Sequence, residues 1–303
     1  MASDDGLNQG RGALPHVSVV IPHFRDLQGL DLCLQALGRQ SYPADAFEVI
    51  VADNNSPEGE AAVRKVIGGR ARLVVVTEKG AGPARNGGAA LARGAILAFT
   101  DSDCVPEQQW LAEGLTALEA YDFVGGRVTV LVDDPQNMSG EEAFERVFAF
   151  DFKTYITKKG FTGAGNLFCS QKVFAKVGGF RVGLSEDVEW SHRATGMGMR
   201  LGYAPLAVVG HPARRNWNEL WAKWRRVTSE TYGLYQERKA GKLKWAIRTL
   251  ALPLSALAHT PKIFASDQLS TMTQRVAAVR TLYRLRLSRL HHGLTLMREK
   301  SGR

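Results

Sequence analysis

The stretch Ala95-Ile-Leu-Ala-Phe-Thr-Asp-Ser-Asp-Cys104 constrains the fold more than any other part of the chain. Its first half is short and mostly apolar. That is too brief for a helix and predicts a buried strand. The strand runs out on Asp101 and Asp103, two carboxylates separated by Ser102. In an open α/β sheet, ligands bind beyond the carboxyl ends of parallel strands. Two carboxylates placed there can share one hard cation, and the cation can hold a diphosphate. Pro106 and Glu107 follow, so the same acids also fit a plain loop and helix start. The rest of the chain decides between the two.

Val17-Ser-Val-Val-Ile21, closed by Pro22, predicts a first strand. Asp26 is placed to cap a helix carrying Leu27, Leu30, Leu34 and Leu37. Phe47 to Ala52 predicts a second strand, delivering Asp53 to a loop. A helix over Glu58 to Ile67 stops at Gly68-Gly69. A third strand over Leu73 to Thr77 leads to Gly80-Ala-Gly-Pro83, which opens a helix bearing Arg85 and Asn86. This alternation predicts parallel strands with helices on both faces. The polar loops that follow the strands then share one sheet edge. Further on, the pattern predicts a helix from Trp110, strands over Phe123 to Val132 and Leu201 to Val209, and a helix over Glu141 to Phe152. Between these lies the Gly-rich run Gly160 to Cys169. A further helix starts at Ser185-Glu186-Asp187.

The net charge of +9 is unevenly spread: residues 211–303 carry +14 and residues 1–210 carry −5. A strongly basic tail behind an acidic-leaning front predicts a second role and an anionic partner. Cys33, Cys104 and Cys169 form no disulfide framework and no zinc pattern, which points to a reducing compartment. The first dozen residues are polar and Gly-rich, unlike a signal peptide. The expected division is a flexible stretch at 1–14, an α/β domain at 15–211 and a basic amphipathic helical region at 212–303.

Val17-Ser-Val-Val-Ile-Pro22, Val49-Ile-Val-Ala-Asp53, Gly80-Ala-Gly-Pro-Ala-Arg-Asn-Gly87, Phe99-Thr-Asp-Ser-Asp103, Gly163-Ala-Gly-Asn166, Val177-Gly-Gly-Phe180 and Glu186-Asp-Val-Glu189 occur in that order. Together they resemble the family 2 inverting glycosyltransferases, which use nucleotide sugars. The resemblance covers about residues 17–211. It implies a GT-A fold: a mixed, Rossmann-like sheet flanked by helices, here with a basic helical appendage. It implies a donor site drawing on Pro22, Asp53, Arg85, Asp101 and Ser102, with Asp53 on the uridine. The donor is then a UDP sugar. Asp103 would bind Mn²⁺ or Mg²⁺, joined by His211 just past a strand. Asp187 matches the catalytic base, with Glu186 tuning it. Gly165, Asn166 and Trp190 would contribute to the acceptor and sugar site, although Trp190 fits a core position equally well.

Physical chemistry supports these assignments. A carboxylate accepts the imide N–H of uracil. A guanidinium pairs with phosphates through two charge-assisted bonds. One carboxylate taking the acceptor hydroxyl proton is sufficient for inversion. A helix cap for Asp53, a solvated face for Arg85 and dipole-favoured acids at 186–187 are the plain alternatives.

The tail pairs basic residues with Trp, Tyr and Leu, as interfacial helices do. The resemblance implies a glycan or lipid-linked acceptor and a cytoplasmic enzyme at the inner face of the membrane. A helical unit packed on the catalytic core explains the same composition. No nucleic-acid-binding module is visible. Two other functions share the front half's features: a nucleotidyltransferase-like enzyme, and a non-catalytic polysaccharide-assembly protein.

Overall fold

A computed structural model describes residues 16–182, 185–237 and 239–299. The expected flexible stretch at 1–14 lies outside the described residues. The first four strands, β1 (Val17–His23), β2 (Phe47–Asp53), β3 (Arg72–Val75) and β4 (Ile96–Thr100), alternate with α1 (Leu27–Leu37), α2 (Glu60–Ile67) and α3 (Ala81–Leu91). All four strands are mutually parallel where they pair, in the order β3-β2-β1-β4. Asp26 caps α1 by accepting the Gly29 amide at 2.8 Å. Gly68 ends α2 in the left-handed conformation at φ 53°, which glycine adopts without steric penalty.

The chain continues through β5 (Val105–Pro106), α4 (Trp110–Leu118), β6 (Phe123–Leu131), α5 (Gly140–Phe148), α6 (Phe152–Lys159), β7 (Asn166–Ser170), α7 (Gln171–Val177), α8 (Glu186–Gly196) and β8 (Leu201–Pro212). These strands extend the sheet in the order β4-β7-β6-β8-β5. Strand β7 runs antiparallel to both β4 and β6. The sheet is therefore mixed, and the amino end of β7 meets the carboxyl end of β4, with Asn166 opposite Thr100.

Two cores cover the two faces. One joins Val19, Ile21, Leu30, Leu34, Val51 and Trp110, from β1, β2, α1 and α4. The other joins Val20, Leu97, Phe99, Phe123, Phe180 and Trp190. The alternation along β1 and β4 sends successive side chains to opposite cores.

The helix expected over Glu141 to Phe152 is two helices. Phe150 sits at φ 57° between them, and Asp151 starts α6 by accepting the Thr154 amide at 3.2 Å. A competing cap inside the apolar periodicity breaks the run.

After β8 every assigned element is helical: α9 (Trp217–Gln236), α10 (Gly241–Leu250), α11 (Leu252–Phe264) and α12 (Met272–Glu299). Leu220, Ala256, Ile263, Ala278, Leu282 and Leu285 form a third core together with Ala143 and Phe144 of α5. Trp217, Trp221 and Trp224 pack against it. The aromatic face of α9 thus turns inward. A buried ion cluster ties the helices to the sheet region: Lys223 Nζ donates to Glu145 Oε1 at 2.7 Å, and the Arg214 amide donates to Glu145 Oε2 at 2.9 Å. Glu145 is buried, and its two cationic neighbours hold its carboxyl below the usual range despite that burial.

Candidate active site

The carboxyl ends of β1 and β4, the start of β7 and the start of α8 open into one cleft of about 1420 Å³. Pro22, Arg85, Asp101, Ser102, Asp103, Gly165, Glu186, Asp187 and His211 all line it. Six separate stretches of sequence supply these nine residues. The sheet topology brings them together because it places strand ends along one edge.

Arg85 organises the floor. Its Nη2 donates to Asp101 Oδ1 at 2.6 Å and its Nη1 to Glu186 Oε1 at 3.1 Å. The side chain is 6% exposed, so these charge-assisted bonds form with little water competing. Arg85 lies on the first turns of α3, which the Gly80 turn at φ 129° aims at the cleft. Gly165 lies so close to Asp101 that a Cβ there would stand 2.6 Å from Asp101 Oδ2. Glycine at 165 therefore leaves Asp101 room to meet Arg85.

Asp187 lies beside this pair at the start of α8. Burial pushes its carboxyl up to about 6, with repulsion from Glu186 adding and Arg85 opposing. The elevation leaves a carboxylate able to accept a proton near neutral pH. Glu186 spends an oxygen on Arg85, so its part is to position the floor.

His211 lies within β8, not beyond it, because the strand runs on to Pro212 through its pairing with β6. Its Nδ1 is 2.7 Å from the Pro212 carbonyl oxygen. A carbonyl only accepts, so Nδ1 carries the proton and Nε2 presents a lone pair. Nε2 faces Asp103 Oδ2 at 3.3 Å. Burial lowers the imidazole's affinity for a second proton. The Nε2 lone pair and the Asp103 carboxylate together offer two donor atoms to one cation. Cys104 completes a set whose ligand atoms lie within 4.8 Å of one another. Burial keeps the Cys104 thiol protonated, so the carboxylate of Asp103 and the imidazole of His211 are the donors that suit a divalent ion.

Three expected contacts are absent from this wall. Asn166 is fully buried; its Oδ1 accepts from Trp110 Nε1 at 2.9 Å and its Nδ2 donates to the Arg127 and Ala207 carbonyls. With every polar atom committed, it stitches β7 to its surroundings and is not an acceptor ligand. Trp190 is also fully buried, donating from Nε1 to the Gly178 carbonyl at 2.8 Å. Its ring packs edge-on to Phe123 within the second core. Asp53 is 1% exposed and accepts from the Ser56 amide at 3.0 Å and the Ser56 hydroxyl at 2.5 Å. In this structure it caps the turn after β2 and does not face the cleft.

Sequence reasoning missed the opposite wall. Arg226, Glu230 and Tyr235 of α9 and Arg248 of α10 line the same cleft. Burial and the facing charges of Glu186 and Asp187 push the Glu230 carboxyl up to about 7. Lys223, Arg226 and Glu230 do form the polar stripe of α9, but only packing shows that this stripe turns toward the sheet edge. Phe150, held at its left-handed φ, packs with its ring tilted against the His211 ring, centroids 4.7 Å apart.

The family model for glycosyl transferase family 2 matches residues 18–189. The chain belongs to that family. Among its relatives, "Glycosyltransferase AglE" of Haloferax volcanii is 36% identical over 209 residues, covering 66% of this chain and 68% of that protein. "Probable glycosyltransferase YdaM" of Bacillus subtilis is 24% identical, covering 70% of this chain and 55% of that protein. Among solved structures, the mannosyltransferase PcManGT of Pyrobaculum calidifontis, in complex with GDP-Man and Mn²⁺, superposes with a TM-score of 0.60 at 18% identity. That match covers 93% of this chain and 86% of the mannosyltransferase. TarS of S. aureus gives a TM-score of 0.51, covering 93% of this chain and 55% of TarS. The fold is GT-A, and the family 2 chain is a glycosyltransferase that uses a nucleotide sugar. Family membership sets aside the nucleotidyltransferase and non-catalytic readings.

Proposed function

We propose that the protein is a metal-dependent, inverting glycosyltransferase that moves a sugar from a UDP sugar to a hydroxyl of a glycan or lipid-linked acceptor. The single observation that carries this is the Asp101–Arg85–Glu186 bridge, with Asp187 beside it and the Asp103–His211 pair across the same cleft. Asp103 and His211 would hold Mn²⁺ or Mg²⁺. When bound, the ion would neutralise the donor diphosphate and act as a Lewis acid on it. Asp187 takes the acceptor hydroxyl proton as the oxygen attacks the anomeric carbon from the face opposite the diphosphate. Glu186 and Arg85 fix the start of α8 so that the Asp187 carboxylate keeps its aim. No protein nucleophile is needed.

The reading is tested by nucleotide release from a panel of UDP, GDP and dTDP sugars, with Mn²⁺, Mg²⁺ or chelator. Slow hydrolysis of one donor that stops with chelator is expected. UDP is the first candidate and GDP, present in the mannosyltransferase complex, is its direct competitor. Undiminished turnover in chelator contradicts the metal assignment.

Among the described residues no helix is long and apolar enough to cross a membrane. Helices α10 and α11 nevertheless expose Leu243, Ile247, Leu250, Leu254 and Leu257, each at least 60% accessible. Between Glu237 and Asp267 the sequence has Lys and Arg but no Asp or Glu. This composition and exposure support a reading in which the face makes peripheral contact with an anionic membrane. Flotation with phosphatidylglycerol vesicles should carry the protein up, and Leu250→Ser with Leu254→Ser should abolish it. Equal flotation of the double variant removes this contact from the account.

A further inference from the structure

Three arginines stand together where α9, α10 and α12 meet. Arg289 on α12 is 5% exposed. Its guanidinium lies 4.3 Å from the centre of the Trp224 ring, and its Nε donates to Thr228 Oγ1 at 3.3 Å. Arg286, one turn earlier on α12, is half-buried, and its Nε has no hydrogen-bond partner. Arg248 on α10 is exposed at the cleft wall, with its Nη1 3.4 Å from the Tyr235 hydroxyl. Among the described residues none of the three has a carboxylate within ion-pair distance. Burial and the neighbouring arginines depress the proton affinity of Arg286 and Arg289, the latter to about 9.

A buried cation without a counter-charge is costly, and chains normally pair it. Elsewhere this chain does so: Arg85 meets two carboxylates, and Lys223 meets Glu145. The exception adjoins the cleft, since Arg248, Trp224 and Tyr235 line it. It also adjoins the exposed apolar row, because Ile247 and Leu250 flank Arg248 on α10.

We propose that Arg248, Arg286 and Arg289 form a site for the phosphate group of a lipid-borne acceptor, whose chain lies along the exposed row of α10 and α11. This rests on the glycosyltransferase reading for the word acceptor, but the site itself is defined by binding. Arg248 supplies direct charge-assisted bonds at the wall. Arg286 and Arg289 supply the positive potential behind it. The position puts the phosphate at the helical wall, across the cleft from Asp187, and leaves the donor diphosphate to the sheet edge.

The test is calorimetry with decyl phosphate below its micelle concentration, with decyl maltoside and inorganic phosphate as controls. It is run on the full chain with UDP and Mn²⁺ saturating the donor side, and repeated with GDP. Decyl phosphate should bind better than either control. Arg248→Gln with Arg286→Gln should weaken it roughly tenfold or more, through the charge-assisted bonds lost with Arg248 and the positive potential lost with Arg286. Nucleotide affinity and melting temperature should be unchanged in the variant, which separates a binding role from a folding one. Equal affinity for decyl phosphate and decyl maltoside overturns the proposal, as does unchanged affinity in the double variant. Loss of phosphatidylglycerol flotation with decyl phosphate binding intact also overturns it, by assigning the arginines to membrane headgroups. Arginine-dependent binding in a protein that releases no nucleotide from any donor leaves this site standing and removes the glycosyltransferase reading instead.

Discussion

The sheet region and the helical region handle buried positive charge in opposite ways. At the sheet edge Arg85 is enclosed by Asp101 and Glu186, and the three groups form a closed set. Among the helices Arg289 lies buried against the Trp224 ring and the Thr228 hydroxyl, with the half-buried Arg286 as its charged neighbour. The closed set is preorganised: its geometry is fixed before any ligand arrives. The open set carries a charge deficit that an incoming anion makes good. One wall of the cleft is thus built for geometry and the other for attraction.

The largest effect expected anywhere in the cleft is at Asp187. Asp187→Asn keeps the size but cannot take a proton, and should lower transfer by about 10²–10⁴-fold. Nucleotide affinity by calorimetry should stay near wild type. Transfer at the wild-type rate would make Glu230 the next candidate for the base.

Arg85→Met probes the closed set directly. It leaves Asp101 and Glu186 facing each other unpaired, and breaking such a pair should cost about 3 kcal/mol in denaturant unfolding. The matching change in the open set, Arg289→Met, should be neutral or stabilise by about 1 kcal/mol, since it removes repulsion and keeps an unbranched apolar stem over Trp224. The contrast in sign is the point. If both variants lose similar stability, the helical arginines are as well compensated as Arg85 and the comparison fails.

Asp53→Ala gives the smallest effect. Removing the cap after β2 should lower stability by about 1 kcal/mol and leave nucleotide affinity alone. A fall in UDP affinity at unchanged stability would return Asp53 to the donor site.

How much of this was legible in the chain differs by region. The parallel strands β1 to β4 follow from short apolar runs bounded by turn residues. The Asp101/Asp103 pair follows because a buried strand must end where polar groups can meet water. A Gly-rich segment and a helix-borne Trp look alike in sequence whether they face a cleft or a core; packing buries Asn166 and takes the core alternative for Trp190. His211 reads as lying just past a strand that stops at Val209, but β8 continues through Gly210, where apolar patterning is weak, to Pro212. The α9 wall had no local signal. Its Lys223, Arg226 and Glu230 share one helical face in the sequence, but only the Glu145 cluster and the aromatic core set which way that face turns.

The pH dependence of transfer tests most directly the assignment of Asp187 as the base for glycosyl transfer in this cleft. With donor, acceptor and divalent ion saturating, kcat should fall as pH drops through about 6, because protonated Asp187 cannot accept the hydroxyl proton. Glu230→Gln removes the other carboxyl that titrates nearby, and the limb near 6 should persist in that variant. A profile that is flat between pH 5 and 7, or a limb that vanishes with Glu230→Gln, would contradict the assignment.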